Sequence, residues 1–397
     1  MPGATRTVFL DFDGHSTVSA MTGKAPSAFD LDGIAGWSAF EQQVMADVAR
    51  LTAEYFSPFN INITTVDPGT AGLQRSSSLD NTYGTRVCFS PIDGKSTGIG
   101  YVNLFRQGND PTNYSTGALV DAKRIYQLYT SGAYGNFDLT NAADYGSLIS
   151  SLAQTAAHEI GHNMGLDHDG ITSDSSGYYG GYNVSTKTAW SPIMGYTNIS
   201  KTRRLNQWSI GEYRNATNTG QDDLAVITDT GSGWTNGFGY RADEGLGTIS
   251  FSDLTTGIIQ TSGDYDDFAF TLTGAGDVAF NLASGVNIAG LQWGSLYYYA
   301  DVWQSVIGGE DILLGHYLAD IDSLLLGIEM TLGIGDYYLR VGGSGYQYGS
   351  YQGFSDYASL GTYTIAASLR SAAPEPATIL IIAFGIAGMG LVRRYRR

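Results

Sequence analysis

The sequence predicts two folded units in series, an α+β unit over residues 1–228 and an antiparallel β-sandwich over 241–371. A linker at 229–240 joins them, and a separate terminal segment follows at 372–397. Three observations carry this reading. Strand-like runs alternate with long helical periodicities up to residue 228. Beyond 240, apolar and polar residues alternate between frequent glycine turns. The last residues form an apolar run closed by arginines. A chain of 397 residues with 43% hydrophobic content is long enough for two sizeable cores.

Taken in order, Thr7-Val8-Phe9-Leu10-Asp11-Phe12-Asp13-Gly14 reads as a short strand ending in a turn. Residues 37–56 have helical periodicity with Val44, Val48 and Leu51 on one face, and 58–66 alternate as a strand. Arg86-Val87-Cys88-Phe89 makes the single cysteine a buried strand residue, and one cysteine excludes an intramolecular disulfide framework. Residues 98–105 form a further strand, at an edge or in the interior. From about Ser147, Ile149, Ala153, Ala156, Ala157, Ile160 and Met164 make an apolar stripe. Ser151, Thr155, His158 and His162 line another face, so this helix is expected to pack on one side and open on a cleft on the other. Residues 207–213 and 222–227 read as packing and capping elements, while His15 and His316 stand apart as surface residues.

Three of the five histidines fall in His158-Glu159-Ile160-Gly161-His162-Asn163-Met164-Gly165-Leu166-Asp167-His168. Residues four apart on a helix sit one above the other, so His158 and His162 share a face, with Glu159 rotated beside them. Gly165 permits the positive-φ turn that brings the chain back to deliver His168. Three imidazoles close three sides of a tetrahedral Zn2+ site and leave the fourth to water, which Glu159 reaches as general base. A closed zinc site or a plain amphipathic helix is the alternative, but three ligands beside a glutamate is the open-site pattern.

This motif resembles that of the metzincin metallopeptidases, and Asp169 after His168 is most similar to their adamalysin or reprolysin branch. The resemblance implies an α+β metzincin-like catalytic domain. Within Ser191-Pro192-Ile193-Met194-Gly195-Tyr196 it makes Met194 the methionine of a turn beneath the metal. It offers Tyr196 as an extra ligand or oxyanion donor, a packed loop tyrosine among 27 being the other reading. It gives residues 98–105 the place of the edge strand that pairs with an extended peptide substrate. Adamalysins are disulfide-bonded and place proline soon after the turn methionine; this chain has one cysteine and Gly195-Tyr196, and it lacks a cysteine-switch motif. The activity implied is a zinc-dependent endopeptidase hydrolysing peptide bonds of extracellular or surface proteins, with Glu159 as base. The second functional class is a non-catalytic exported surface or matrix protein whose sandwich serves adhesion.

Beyond the linker, 264–272, 335–341 and 361–365 resemble the pre-peptidase C-terminal domain of secreted proteases, with 288–332 interrupting the match. A Ca2+ ion held by Asp264, Asp266 and Asp267 is one expectation and solvated turn carboxylates the other; glycine-rich calcium-binding nonapeptides are absent from the sequence. Pro374-Glu375-Pro376, the apolar run 377–392 and Arg393-Arg394-Tyr395-Arg396-Arg397 resemble the PEP-CTERM sorting signal. That resemblance implies an exosortase-type processing enzyme as partner. The run has 16 residues, short of the roughly 20 that span a bilayer, but snorkelling arginines extend it. A C-terminal transmembrane helix with cytoplasmic arginines is therefore expected, and a plain membrane anchor is the alternative to the sorting signal.

Net charge is −17, even with four of the 21 cations in the terminal arginines, which argues against a nucleic-acid partner. The location expected is the cell surface or exterior of a Gram-negative bacterium, with inner-membrane anchoring before processing. Residues 1–6 lead into the first strand without an apolar h-region, so an export signal is expected upstream. An acidic surface leans towards basic peptides.

Overall fold

The computed structural model describes residues 3–371 apart from 93, 107–114, 173–176, 197–202, 231–236, 244–245 and 349–351. The N-terminal unit is built on β1 (Arg6–Asp11), α1 (Ala39–Tyr55), β2 (Asn62–Thr64), α2 (Gly69–Leu73), β3 (Tyr83–Phe89), β4 (Gly98–Gly100) and β5 (Ala118–Val120). Its sheet has the order β2-β1-β3-β5-β4, parallel except for β4, which runs antiparallel to β5 along one edge. A capping box sets the start of α1: Ser38 Oγ accepts from the Glu41 N–H, and Glu41 Oε2 accepts from the Ser38 N–H at 2.9 Å. The face carrying Val44, Val48 and Leu51 is buried, as its periodicity requires, and Cys88 is buried in β3.

Two expected strands are shorter than their patterns. The run 58–66 keeps only β2, because the chain turns at Phe59, whose N–H donates to Phe56 O. The run 98–105 keeps only β4; Asn103 takes φ 59° and leads into a 3-10 turn at Leu104–Arg106. Of the two placements open for this run, the edge is the one adopted.

Next come α3 (Ala122–Thr130) and α4 (Ala142–Met164), then β6 (Tyr182–Asn183), β7 (Thr188–Pro192), β8 (Arg203–Gln207) and α5 (Asp223–Thr228). The motif helix α4 differs from its expected half-open placement, since every residue from 144 to 164 is buried. Its polar face meets hydrogen-bonding partners instead of water. Tyr129 OH lies 2.8 Å from both Ser147 O and Ser151 Oγ, and Asn206 Nδ2 donates to Ser150 Oγ and Tyr55 OH. Gln154 Nε2 donates to Pro192 O. These bonds lower the cost of burying the helix, while Ser147 Oγ and Gln154 Oε1 stay without a partner among the described residues. The helix lines a cleft through Thr155, His158 and Glu159.

The C-terminal unit begins with β9 (Gly247–Thr248), β10 (Thr255–Ile259), β11 (Tyr265–Leu272), β12 (Gly276–Ser284), β13 (Val286–Ile288) and β14 (Leu291–Trp293). It continues with β15 (Tyr298–Gln304), β16 (Ile312–Leu318), β17 (Leu325–Leu332), β18 (Gly335–Gly343), β19 (Tyr346–Tyr348), β20 (Gln352–Phe354) and β21 (Gly361–Ser371). Sheets ordered β10-β21-β12-β17 and β16-β15-β18-β11-β9 face one another. Phe270 on one meets Phe280 on the other at 5.5 Å, and Phe268 meets Tyr363 at 6.2 Å. The stretch 288–332, which interrupts the sequence resemblance, supplies β15, β16 and β17 to these sheets. Alternation along β11 separates the acidic cluster: Asp266 points inward to accept from Tyr363 OH, and Asp267 points outward to pair with Arg340 at 2.7 Å. Asp264 accepts from Gln260 N in the preceding turn. The three carboxylates do not converge as a metal-holding group, so this strand geometry does not show the expected Ca2+ site.

One pole of the sandwich is docked on the N-terminal unit. Gln207 Nε2 donates to Ser295 O, Ser295 Oγ donates to Asn206 O, and Arg203 Nη1 donates to Ile321 O. Trp293 lies against Gly146 of α4, where an added Cβ would sit 2.3 Å from its ring. The linker stretch also packs: Phe238 meets Phe105 edge-on at 5.1 Å, and Asn60 N donates to Gly239 O. At the opposite pole β21 ends at Ser371, beside Gly276 and Leu332. The expected transmembrane run at 377–392 lies outside the described residues, and among the described residues no helix is long and apolar enough to cross a membrane.

Glu54 of α1 crosses the same interface, accepting from Thr362 N at 2.9 Å and from Thr362 Oγ1 at 2.6 Å. Burial pushes its carboxyl from 4.5 up to about 7, although both hydrogen bonds oppose the rise. The folded state thus holds this proton more tightly than the unfolded chain. The stabilisation is complete below about pH 4.5 and lost as pH rises through about 7, a change of roughly 3 kcal/mol. Urea unfolding of wild type and Glu54→Gln at pH 5 and pH 8 is expected to show the variant losing that much less between the two; equal losses would refute the buried carboxyl.

Candidate metal centre and active-site cleft

Two of the three histidines are fixed by backbone carbonyls. Ile193 O accepts from His158 Nδ1 at 3.0 Å, and Leu166 O accepts from His162 Nδ1 at 2.7 Å. A carbonyl cannot donate, so Nδ1 carries the proton in both rings and Nε2 keeps its lone pair. The Leu166 carbonyl arrives there because Gly165 caps α4 at φ 105°, its N–H reaching Gly161 O and His162 O. The same turn delivers His168, whose Nε2 lies 2.9 Å from His162 Nε2. One ligand atom from each of the three rings lies within 4.8 Å of the others.

This donor set fits a zinc ion. Burial lowers the pKa of all three imidazoles, His158 well below its ordinary value and His168 to about 4, which keeps them neutral, the form that binds metal. Two nitrogens at tetrahedral angles on zinc stand about 3.3 Å apart for bonds of about 2.0–2.1 Å, close to the separation between His162 and His168. Glu159 is next to this group and 6% exposed; burial alone raises its carboxyl from 4.5 to about 8.

The methionine turn lies beneath. Met194 is fully buried with Sδ so close to Gly161 that a Cβ there would sit 2.4 Å away. Its neighbour Ile193 holds His158, and its own carbonyl accepts from the N–H of Asp169. The segment at 222–227 and its approach brace the third histidine: Asn218 Nδ2 donates to His168 O, and Gln221 bonds the Asp167 backbone in both directions.

Tyr196 is placed less closely than the histidines. It is 47% exposed, its N–H donates to Tyr179 O, and its ring meets Tyr178 at 6.3 Å. Tyr178 is the ring beside the histidines, 4.2 Å from His168 and 6.2 Å from His158. One tyrosine among 27 carries no signal of its own in the sequence. His15 contacts Arg86 and His316 pairs with Asp301, both away from the cluster.

Asn163, Gly98 and Gly100 also escaped the sequence reading. Buried Asn163 donates from Nδ2 to Tyr101 O and Gly117 O and accepts from Thr85 Oγ1, locking the sheet edge onto α4. Gly98 and Gly100 let that edge run against Glu159: a Cβ would lie 2.3 Å from its Oε1 at Gly98 and 2.8 Å from its backbone O at Gly100. The alternation Gly98-Ile99-Gly100 is the available signal, since glycine inside a strand marks close approach of another group.

A three-histidine group, two of its rings buried, thus stands with an adjacent carboxyl at a cleft beside the β4 edge, on whose outer side no strand pairs among the described residues, an arrangement suited to metal-dependent peptide hydrolysis. Residues 18–209 match the model of metallo-peptidase family M12, of the reprolysin type, and residues 372–397 match the PEP-CTERM protein-sorting motif. The chain thus carries an M12 metallopeptidase domain and a PEP-CTERM motif. It is 24% identical over 333 residues to the metallopeptidase AprA of Pseudomonas marginalis, across 79% of this chain, and spans 63% of that relative's length. Among solved structures, the pre-peptidase C-terminal domain of a Bacillus anthracis collagenase overlaps 32% of this chain and 98% of its own, with 13% identity and a TM-score of 0.22. A family 35 carbohydrate-binding module from Clostridium thermocellum overlaps 28% and 74%, with 18% identity and a TM-score of 0.15.

Gly98→Ala is expected to displace the Glu159 carboxyl and lower peptide cleavage by roughly a hundredfold while stoichiometric zinc binding persists. Unchanged cleavage by the variant would show that the close contact has no part in placing the Glu159 carboxyl.

Proposed function

We propose that the chain is a zinc-dependent endopeptidase acting on extracellular or surface proteins, with His158, His162 and His168 holding the ion through Nε2 and Glu159 as general base. The observation that supports it is the pair of backbone carbonyls that fix two of the rings with Nε2 free. When bound, zinc supplies a Lewis acid that makes water acidic enough to deprotonate near neutrality and polarises the scissile carbonyl. Glu159 accepts the proton from the attacking water and returns it to the leaving amine nitrogen. Burial opposes ionisation of Glu159, and the positive charge held by its helix neighbours offsets that opposition. The free side of β4 pairs with the substrate backbone as an added antiparallel strand and presents the peptide to the cleft. Tyr178 and Tyr196 both line that cleft, and either hydroxyl serves as donor to the developing oxyanion.

The C-terminal sandwich serves as a stand-off between this site and the sorting segment. Contacts to the peptidase unit gather at the pole where β21 starts, whereas the chain leaves at the other, about 35 Å away for 11 strand residues. Export, recognition by an exosortase-type enzyme and membrane anchoring through 377–392 belong to the same proposal, as does the pre-peptidase-like character of the sandwich.

Glu159→Gln is expected to retain one zinc per chain by elemental analysis and to cut a mixed peptide library roughly 10^2–10^4-fold more slowly. A chelator should abolish wild-type cleavage and added zinc restore it. Equal proteolysis by wild type and variant would leave the exported, non-catalytic reading.

A further inference from the structure

The cleft beside His158 and Glu159 has a volume of about 250 Å3, and its lining carries two cations, Lys95 and Arg124. Among the described residues its single acidic lining residue is Glu159, the proposed base. Both cations belong to a braced wall. Arg124 Nη1 donates to Gly94 O, tying α3 to the loop that carries Lys95. Asp121 caps α3 through the Arg124 N–H, accepts from Ile92 N and donates its own N–H to Thr97 O, so the loop is fixed on both sides of Lys95. Leu128 gives the cleft an apolar patch, and Tyr134 and Tyr196 add hydroxyls.

On this basis, and resting on the peptidase reading above, we propose that the cleft receives a carboxylate of the substrate next to the scissile bond, that of an Asp or Glu side chain. The long aliphatic stems of Glu, Lys95 and Arg124 suit a wall of mixed apolar and cationic character, and a guanidinium matches a carboxylate in a forked pair. The chain as a whole is strongly acidic, which taken alone favours basic peptides. Charges beyond about 8–10 Å are screened at physiological salt, however, so the two cations of the cleft decide what enters it.

The test uses the full chain, loaded with zinc, and C-terminally amidated peptides that differ only by Glu, Gln or Lys at one position beside the cleaved bond. A second arm leaves the C-terminus free. Glu is expected to exceed Gln in kcat/KM by about five- to tenfold, as a half-exposed ion pair allows. Arg124→Gln should pull the Glu-to-Gln ratio towards one, Arg124→Lys should restore most of it, and Arg124→Glu should favour Lys. Binding of the same peptides to Glu159→Gln should follow the same ranking without turnover. A preference confined to free C-termini would overturn the side-chain assignment and give the cleft to the main-chain carboxylate. Cleavage indifferent to Glu, or faster for Lys, overturns the proposal while leaving the peptidase intact. No cleavage of any peptide, together with no ranking in binding, removes both.

Discussion

The rest of the site depends on the burial of one helix. Every residue of α4 from 144 to 164 is removed from water, and two of its imidazoles are oriented by carbonyls outside the helical ladder, those of Ile193 and Leu166. Ring orientation is thereby made a property of the backbone. A histidine held only by packing turns about χ2 at little cost, whereas one that donates Nδ1–H to a fixed carbonyl keeps both tautomer and direction. The Gly165 turn and the methionine turn are the two pieces of chain that place those carbonyls. Both are tight because each begins at a glycine contact, Gly165 with its positive φ and Gly161 against Met194.

That burial makes the two folded units interdependent. Polar residues on the back of α4 and on β8 find their partners in the N-terminal unit, and β8 in turn is held by Ser295, Ser359 and Ile321 of the sandwich. Because β8 pairs with β7, which leads directly into the methionine turn, a shift of the sandwich reaches His158 through Pro192 and Ile193. The Glu54 carboxyl, buried and bonded to Thr362, belongs to this same seam. Removing an internal partner there leaves a buried polar group unsatisfied, a larger penalty than the loss of an exposed contact.

The histidine spacing was legible because ligand geometry on a helix is local: i and i+4 share a face whatever surrounds them. The α1 helix, the Cys88 strand and the sandwich alternation were legible for the same reason. What failed was everything set by partners distant in sequence. Ser151 reads as part of the face open on a cleft, yet it is buried because Tyr129 arrives to bond it. Asp266 and Asp267 read as a turn cluster, and only strand register separates them. Tyr178, Asn163 and Lys95 lack local periodic signatures, since their roles come from which loop lies over which.

The electrostatics of the site follow from desolvation acting on groups of opposite kind. Burial drives the three imidazoles towards their neutral form and drives Glu159 towards its protonated form, so the fold alone holds four titratable groups with almost no net charge among them. Such a site has a strong preference for an added cation: the imidazoles are ready to donate lone pairs, and a positive charge lowers the cost of ionising the carboxyl. The free energy released on binding also adds to the stability of the folded state over the unfolded chain, whose scattered histidines offer no comparable site. Metal affinity, helix burial and the acidity of Glu159 are thus three consequences of one constraint, and weakening the packing of α4 degrades all three together.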